Sequence, residues 1–195
     1  MAYQILQNGG SIRITDNVSR QGTVVQPSSG SIRVKREQMG AFRQVTLTLD
    51  NVAQTVVNGT EYQGTQLWTF PEGRMLVLGV TATLQQKTTS TLASTLNASS
   101  TGAISLGTAT ASSTTLSGTA ADLLPSTAFT SSATVNVAGT AVSAALAASA
   151  HFDGTSTAKS MYLNTAYATT TDVDGDATQT ISGTIVVTYV DLGDY

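Results

Sequence analysis

Ile181-Ser-Gly-Thr-Ile-Val-Val-Thr-Tyr-Val-Asp-Leu-Gly-Asp-Tyr195 closes the chain, and its reading decides the fold. Ile181, Ile185, Val187 and Tyr189, followed by Val190 or Leu192, supply apolar and β-branched side chains. Ser182, Thr184 and Thr188 sit between them. This near-alternation is that of a β-strand with one buried face. The segment is long enough to cross a small sheet and too apolar to fray, so it is expected to be zipped between other strands. The fold that follows is a β-sandwich with this strand in the middle of its core.

A chain of 195 residues fits one sandwich with an extra segment, or two small domains, and buries a core without staples. There is no cysteine, which excludes a disulfide framework and a thiolate metal site. The opening Met1-Ala-Tyr-Gln-Ile-Leu-Gln-Asn8 lacks the basic and apolar regions of a signal peptide. No apolar run approaches the roughly 18 residues that would span a bilayer. A protein made in the cytosol, with no membrane partner, is the expectation. Only 11% of residues are charged, and Thr, Ser, Ala and Gly fill the gap. Short hydroxyl side chains lose little entropy when covered, which suits strands and packed assemblies.

Charge is unevenly placed. Residues 1–87 hold eight Lys/Arg and five acids, whereas residues 88–195 hold Lys159 and seven acids. Two regions with different contacts are implied. Residues 1–43 are basic and broken by turns at Gly9-Gly10, Pro27-Ser-Ser-Gly30 and Gly40. Their short β-like pieces, such as Ser31-Ile-Arg-Val-Lys35, put Ile32 and Val34 on one side and Arg33 and Lys35 on the other. They read as an extended arm or edge ribbon, followed by a sandwich domain over residues 44–195.

Within that domain Gln44-Val-Thr-Leu-Thr-Leu-Asp50 alternates cleanly. Trp68 and Phe70 read as plugs of the sandwich. Arg74-Met-Leu-Val-Leu-Gly-Val-Thr-Ala-Thr-Leu84 is almost continuously apolar, the pattern of a central strand covered on both faces. The uncharged stretch from Thr88 to Ala121 is expected to be ordered, because disorder usually accompanies high net charge. Asp122-Leu-Leu-Pro125 reads as a short helical turn or loop. Ala133-Thr-Val-Asn-Val137, the alanine-rich run from Val142 to Ala150, and the run from Lys159 to Tyr167 read as further strands, the middle one a helix by propensity and a strand by context. Eight to ten strands at turn-punctuated intervals point to an all-β, jelly-roll-like antiparallel sandwich with an extended N-terminal arm.

The chemistry-bearing residues are few. His151 is the only histidine, and no Ser lies in a Gly-x-Ser-x-Gly elbow. With no cysteine, the usual general-base and zinc sites have little to draw on, so no enzyme activity, cofactor or small-molecule substrate is expected. Asp172-Val-Asp-Gly-Asp176 sets Asp172, Asp174 and Asp176 at alternate positions that could converge on calcium. An EF-hand would need Gly and Glu where Ala177 and Gly183 stand, and a solvated Asp-Gly turn is the preferred reading. A glycosidase pair among Asp153, Asp172, Asp174 and Asp176 rests on residue type alone. Arg13, Arg20, Arg33, Lys35, Arg36 and Arg43 make the N-terminal segment basic. Its readings are docking onto an acidic partner, nucleic-acid contact, or a solvated strand face. The net charge of −3 and the near absence of interleaved aromatics make nucleic acid the weaker of these.

Several pieces together resemble a group of β-rich virion structural proteins of tailed bacteriophages. They are Trp68-Thr-Phe-Pro-Glu-Gly-Arg-Met-Leu-Val-Leu-Gly79, Asp122-Leu-Leu-Pro125, Tyr162-Leu-Asn-Thr-Ala-Tyr167, and the final segment from Ser182. The likeness spans residues 60–195. It implies a capsid decoration (cement) protein, often a homotrimer, on the capsid surface of a virion, synthesised in the host cytoplasm. The major capsid protein would be the partner, with Arg13, Arg33, Lys35, Arg36 and Arg43 as the docking arm. The competing reading is a receptor- or glycan-binding module of a head or tail fibre, which would use Tyr162, Tyr167 and Trp68 as a sugar platform.

Overall fold

A computed structural model describes residues 3–7, 10–14, 21–88, 101–130, 135–141, 151–168 and 176–193. In chain order the strands are β1 (Tyr3–Gln7), β2 (Gly10–Ile14), β3 (Thr23–Val24), β4 (Ser31–Met39), β5 (Phe42–Val56), β6 (Tyr62–Thr69), β7 (Gly73–Thr88), β8 (Thr101–Gly107), β9 (Leu124–Thr130), β10 (Val135–Ala141), β11 (His151–Gly154), β12 (Ser160–Tyr167) and β13 (Ala177–Gly193). All pairings are antiparallel. One sheet runs β10-β7-β13-β5-β4, with β11 also paired to β7, and the other runs β3-β6-β12-β8-β9. The two pack face to face as an all-β sandwich. The pairings establish the sandwich; they do not establish a jelly roll. β1 and β2 pair with each other.

β13 lies between β5 and β7 and bonds to both along its length. Its inward side chains are Ala177, Gln179, Ile181, Ile185, Val187, Tyr189 and Asp191. Burying each large apolar one contributes about 1.5–3 kcal/mol, which holds the strand between its two neighbours. Gly183 sits at a bulge with φ +138, and a Cβ there would collide with the Thr83 carbonyl oxygen.

β7 differs from its expected two-sided burial. Its inward residues are Met75 and Val77, then Val80, Ala82, Leu84 and Gln86. The phase changes because a bulge lies opposite Thr188 and Tyr189. Continuous apolarity in the sequence therefore records a register shift, which places odd residues inward before the bulge and even ones after it.

Trp68 and Phe70 plug the core as expected, with exposures of 1% each. Phe70 meets Phe152 and Tyr189 edge-on, at ring-centre distances of 5.0 and 5.4 Å. The outer face of the five-stranded sheet is roofed by residues 108–123. Asn164 fastens that roof: its Oδ1 accepts from the Ala111 N–H, and its Nδ2 donates to the Ala109 and Ala120 carbonyls. Asp122 and Leu123 lie in this roof as a loop, and β9 begins at Leu124.

Residues 21–43 join the sheets. β3 pairs with β6, β4 pairs with β5, and Ile32 is buried in the core. The boundary expected between residues 43 and 44 falls inside β5. The run 142–150, and Leu92 and Leu96, lie outside the described residues.

Candidate partner-binding site at the hairpin

β4 alternates as read from sequence. Ile32 is buried and Val34 half-buried against the core, while Arg33 and Lys35 face outward, level with Thr48 and Thr46 of β5. Gly40 turns the chain at φ +62 with open space around its α-carbon, so β4 and β5 form a hairpin with a solvated tip. Met39 and Phe42 are paired across this turn and are 77% and 50% exposed. Apolar side chains of that size standing side by side in water favour a covering partner.

The inward side of the hairpin end carries Arg36, Gln38 and Arg43, next to Tyr189 of β13. With Gln44 they line a cavity of about 200 Å³. A shallower depression shares Gln38, Arg43 and Gln44 with it and extends to Met39 and Phe42. The Arg36 guanidinium lies 5.1 Å from the centre of the Trp68 ring and donates to the Gly22 carbonyl at 3.3 Å. Arg43 Nη2 is 3.6 Å from Asp191 Oδ2, and this ion pair is largely buried. Arg43 Nε has no acceptor among the described residues. Asp191 is oriented by the Gly193 N–H, which donates to its Oδ1, and its own N–H donates to the Ala41 carbonyl. Burial pushes the Tyr189 phenol up to about 12; Asp191 adds to the shift, and Arg43 and Arg36 oppose it. Tyr189 is thus a neutral donor at any physiological pH.

The five basic residues expected to act as one arm are divided by the fold. Arg33 and Lys35 lie on the outer face, and Lys35 pairs with Glu37 at 3.1 Å. Arg36 and Arg43 lie on the inner one. Arg13 is in β2, opposite Gln4, and Arg20 lies outside the described residues. Sequence reasoning missed Met39, Tyr189 and Asp191 as members of this site. An acid in the apolar Tyr189-Val-Asp-Leu192 run was the available signal.

The remaining candidates are dispersed. Asp172 and Asp174 lie outside the described residues, and Asp176 accepts from the Asn58 N–H. Among the described residues no three His, Asp or Glu side chains are grouped to hold a metal. Asp153 accepts from the Thr155 hydroxyl and N–H and pairs with Arg74, contacts that hold its carboxyl below the usual range. His151 is exposed and shares an open depression with Asp122 and Lys159. Asp122 accepts from the Thr108 hydroxyl and N–H, while burial raises its carboxyl. The proposed sugar platform is separated: Trp68 and Tyr167 are core residues and Tyr162 is half-buried. No known protein-family model matches this chain, and no curated protein is similar to it.

Proposed function

We propose that this chain is a non-enzymatic virion structural protein of a tailed bacteriophage, a capsid decoration protein that binds and stabilises the assembled head shell. The observation that supports this is the β4–β5 hairpin: exposed Met39 and Phe42 flanked by Arg33, Lys35 and Arg36. Apolar anchors within a charged rim are the anatomy of a protein-binding patch. The partner is the major capsid protein. The outer face of the six-stranded sheet presents Thr46, Thr48, Thr81, Thr83, Thr184 and Thr188 in register. A patch of short hydroxyl side chains, bordered by Arg33 and Lys35 on β4, loses little entropy when covered and suits packing of sister subunits, and a homotrimer is the assembly proposed. Several hairpins of one trimer would then grip neighbouring capsid subunits and gain avidity.

Co-sedimentation with the head shells of the encoding virus tests this. The protein is expected to pellet with assembled shells, to ignore unassembled capsid subunits, and to lose shell binding on the double substitution Met39→Ser and Phe42→Ser. Equal binding by that variant, or no binding by the parent, would remove the reading.

A further inference from the structure

We propose that the cavity beneath the β4–β5 hairpin is a pocket for a single carboxylate, the side chain of an aspartate or glutamate on the docking partner. The inference rests on the hairpin being the docking element, and it names the chemistry of the contact. Three observations carry it.

The first is an excess of donors. Arg36 donates once to a carbonyl, stacks on Trp68 and has no carboxylate partner among the described residues. Arg43 holds Asp191 through Nη2 and leaves Nε without an acceptor. The Tyr189 hydroxyl has no hydrogen-bond partner among the described residues, and Tyr189 lines the same cavity. Arg36 is exposed, so the weight falls on Arg43 Nε, a buried donor of the kind that is normally satisfied; beside the Tyr189 hydroxyl it marks the place of an absent acceptor.

The second is charge. Arg36 and Arg43 at the cavity stand against Asp191, and Glu37, which also lines it, is already paired with Lys35 of the outer face, so one positive charge is left for the site. A monoanion balances it. A phosphate dianion would meet Glu37 and Asp191 with surplus negative charge. Guanidinium and phenol donors suit a planar carboxylate, and charge-assisted bonds of this kind are stronger than neutral ones.

The third is size and place. About 200 Å³ is below the roughly 300–1,000 Å³ of small-molecule sites and suits one side chain. The adjoining depression reaches Met39 and Phe42, so a partner loop could set an acid in the pocket and an apolar residue on the tip.

The test uses the full chain with selective labelling, and follows the Arg Nε–H and Tyr ring signals by NMR. N-acetyl-glutamate amide is the probe, N-acetyl-glutamine amide the neutral control, and N-acetyl-glutamine the control for a free terminal carboxylate. Saturable shifts at Arg43 and Tyr189 with the first and not the second are expected. A response to the third of equal strength would replace the partner's side chain by a chain terminus or a free acid. Tyr189→Phe keeps the ring against Phe70 and is expected to weaken the probe about tenfold, as loss of a hydrogen bond to a charged group does. Arg36→Gln is expected to act likewise. Absence of saturable shifts, or shifts equal with the neutral amide, would overturn the pocket even where shells still bind the protein. Shifts that persist in a protein that ignores shells would instead remove the docking reading and leave a carboxylate pocket without it.

Discussion

The two ends of β13 carry polar clusters of opposite character. Near its start, Gln179 donates to Gln54 and Thr165 and accepts from Tyr167 and Gln86. Gln54 in turn donates to Thr65 and the Leu163 carbonyl and accepts from the Thr165 hydroxyl. Every heteroatom of these two glutamines is matched, in a core where both are at most 2% exposed. Near its end, roughly 30 Å away at about 3.3 Å per residue, Tyr189 and Arg43 lie on the same inward side, and the buried Arg43 Nε has no acceptor among the described residues. Across the sandwich from Tyr189 stands Phe70, which offers no acceptor. A glutamine pair matched atom for atom fixes how two sheets meet; a cluster that stays open at a cavity is built for something else. Burial alone does not separate the two, because Gln179 and Tyr189 are both buried.

The sharpest way to break the closed cluster is Gln179→Ala. It leaves a cavity and strips four neighbours of a partner, so a loss of about 3–5 kcal/mol in chemical denaturation is expected. Response of the Arg43 and Tyr189 signals to the carboxylate probe should survive under native conditions. A loss under about 1 kcal/mol would mean that the cluster is not cooperative.

Gly183→Ala acts on the bulge between the clusters. The added Cβ meets backbone, at φ +138, and the ladder to β7 must shift. A loss of about 2–3 kcal/mol is expected. Thermal unfolding unchanged from the parent would show that the bulge relaxes freely.

The open cluster predicts the reverse pattern. Tyr189→Phe removes no described hydrogen bond and should change stability at neutral pH by less than about 1 kcal/mol. Its signature is alkaline. The folded phenol titrates near 12 against an ordinary 10.0. Tyr189 therefore favours the folded state below pH 10, and that contribution is lost as pH rises from 10 towards 12. The parent should lose stability relative to Tyr189→Phe across that window in melting curves. Parallel curves would mean that the phenol is not shielded.

The smallest effect on stability belongs to the tip. Met39→Ser with Phe42→Ser should stay within about 0.5 kcal/mol of the parent, because both side chains are exposed. Light scattering should find the assembly state unchanged. A dissociated assembly would move the tip from docking to self-association.

Much of the architecture was legible in local pattern. The sandwich, the central last strand, the core position of Trp68 and Phe70, and the outward Arg33 and Lys35 all follow from period-two alternation and residue type. The long apolar run of β7 was misleading, since alternation interrupted by a bulge looks like two-sided burial. The arm was misjudged for a related reason. Residues 31–39 are charged and short of apolar content, yet an edge strand needs only Ile32 and Val34 to join a sheet.

What the sequence by itself determined is the class of fold and the face on which each strand residue lies, because backbone pleating ties side-chain direction to the local chain. What only the tertiary structure decided is which polar groups meet. Gln54 finds Gln179, and Arg43 finds Asp191 and Tyr189, across long stretches of intervening chain. Pairing register between distant strands sets those encounters, and no local pattern contains it.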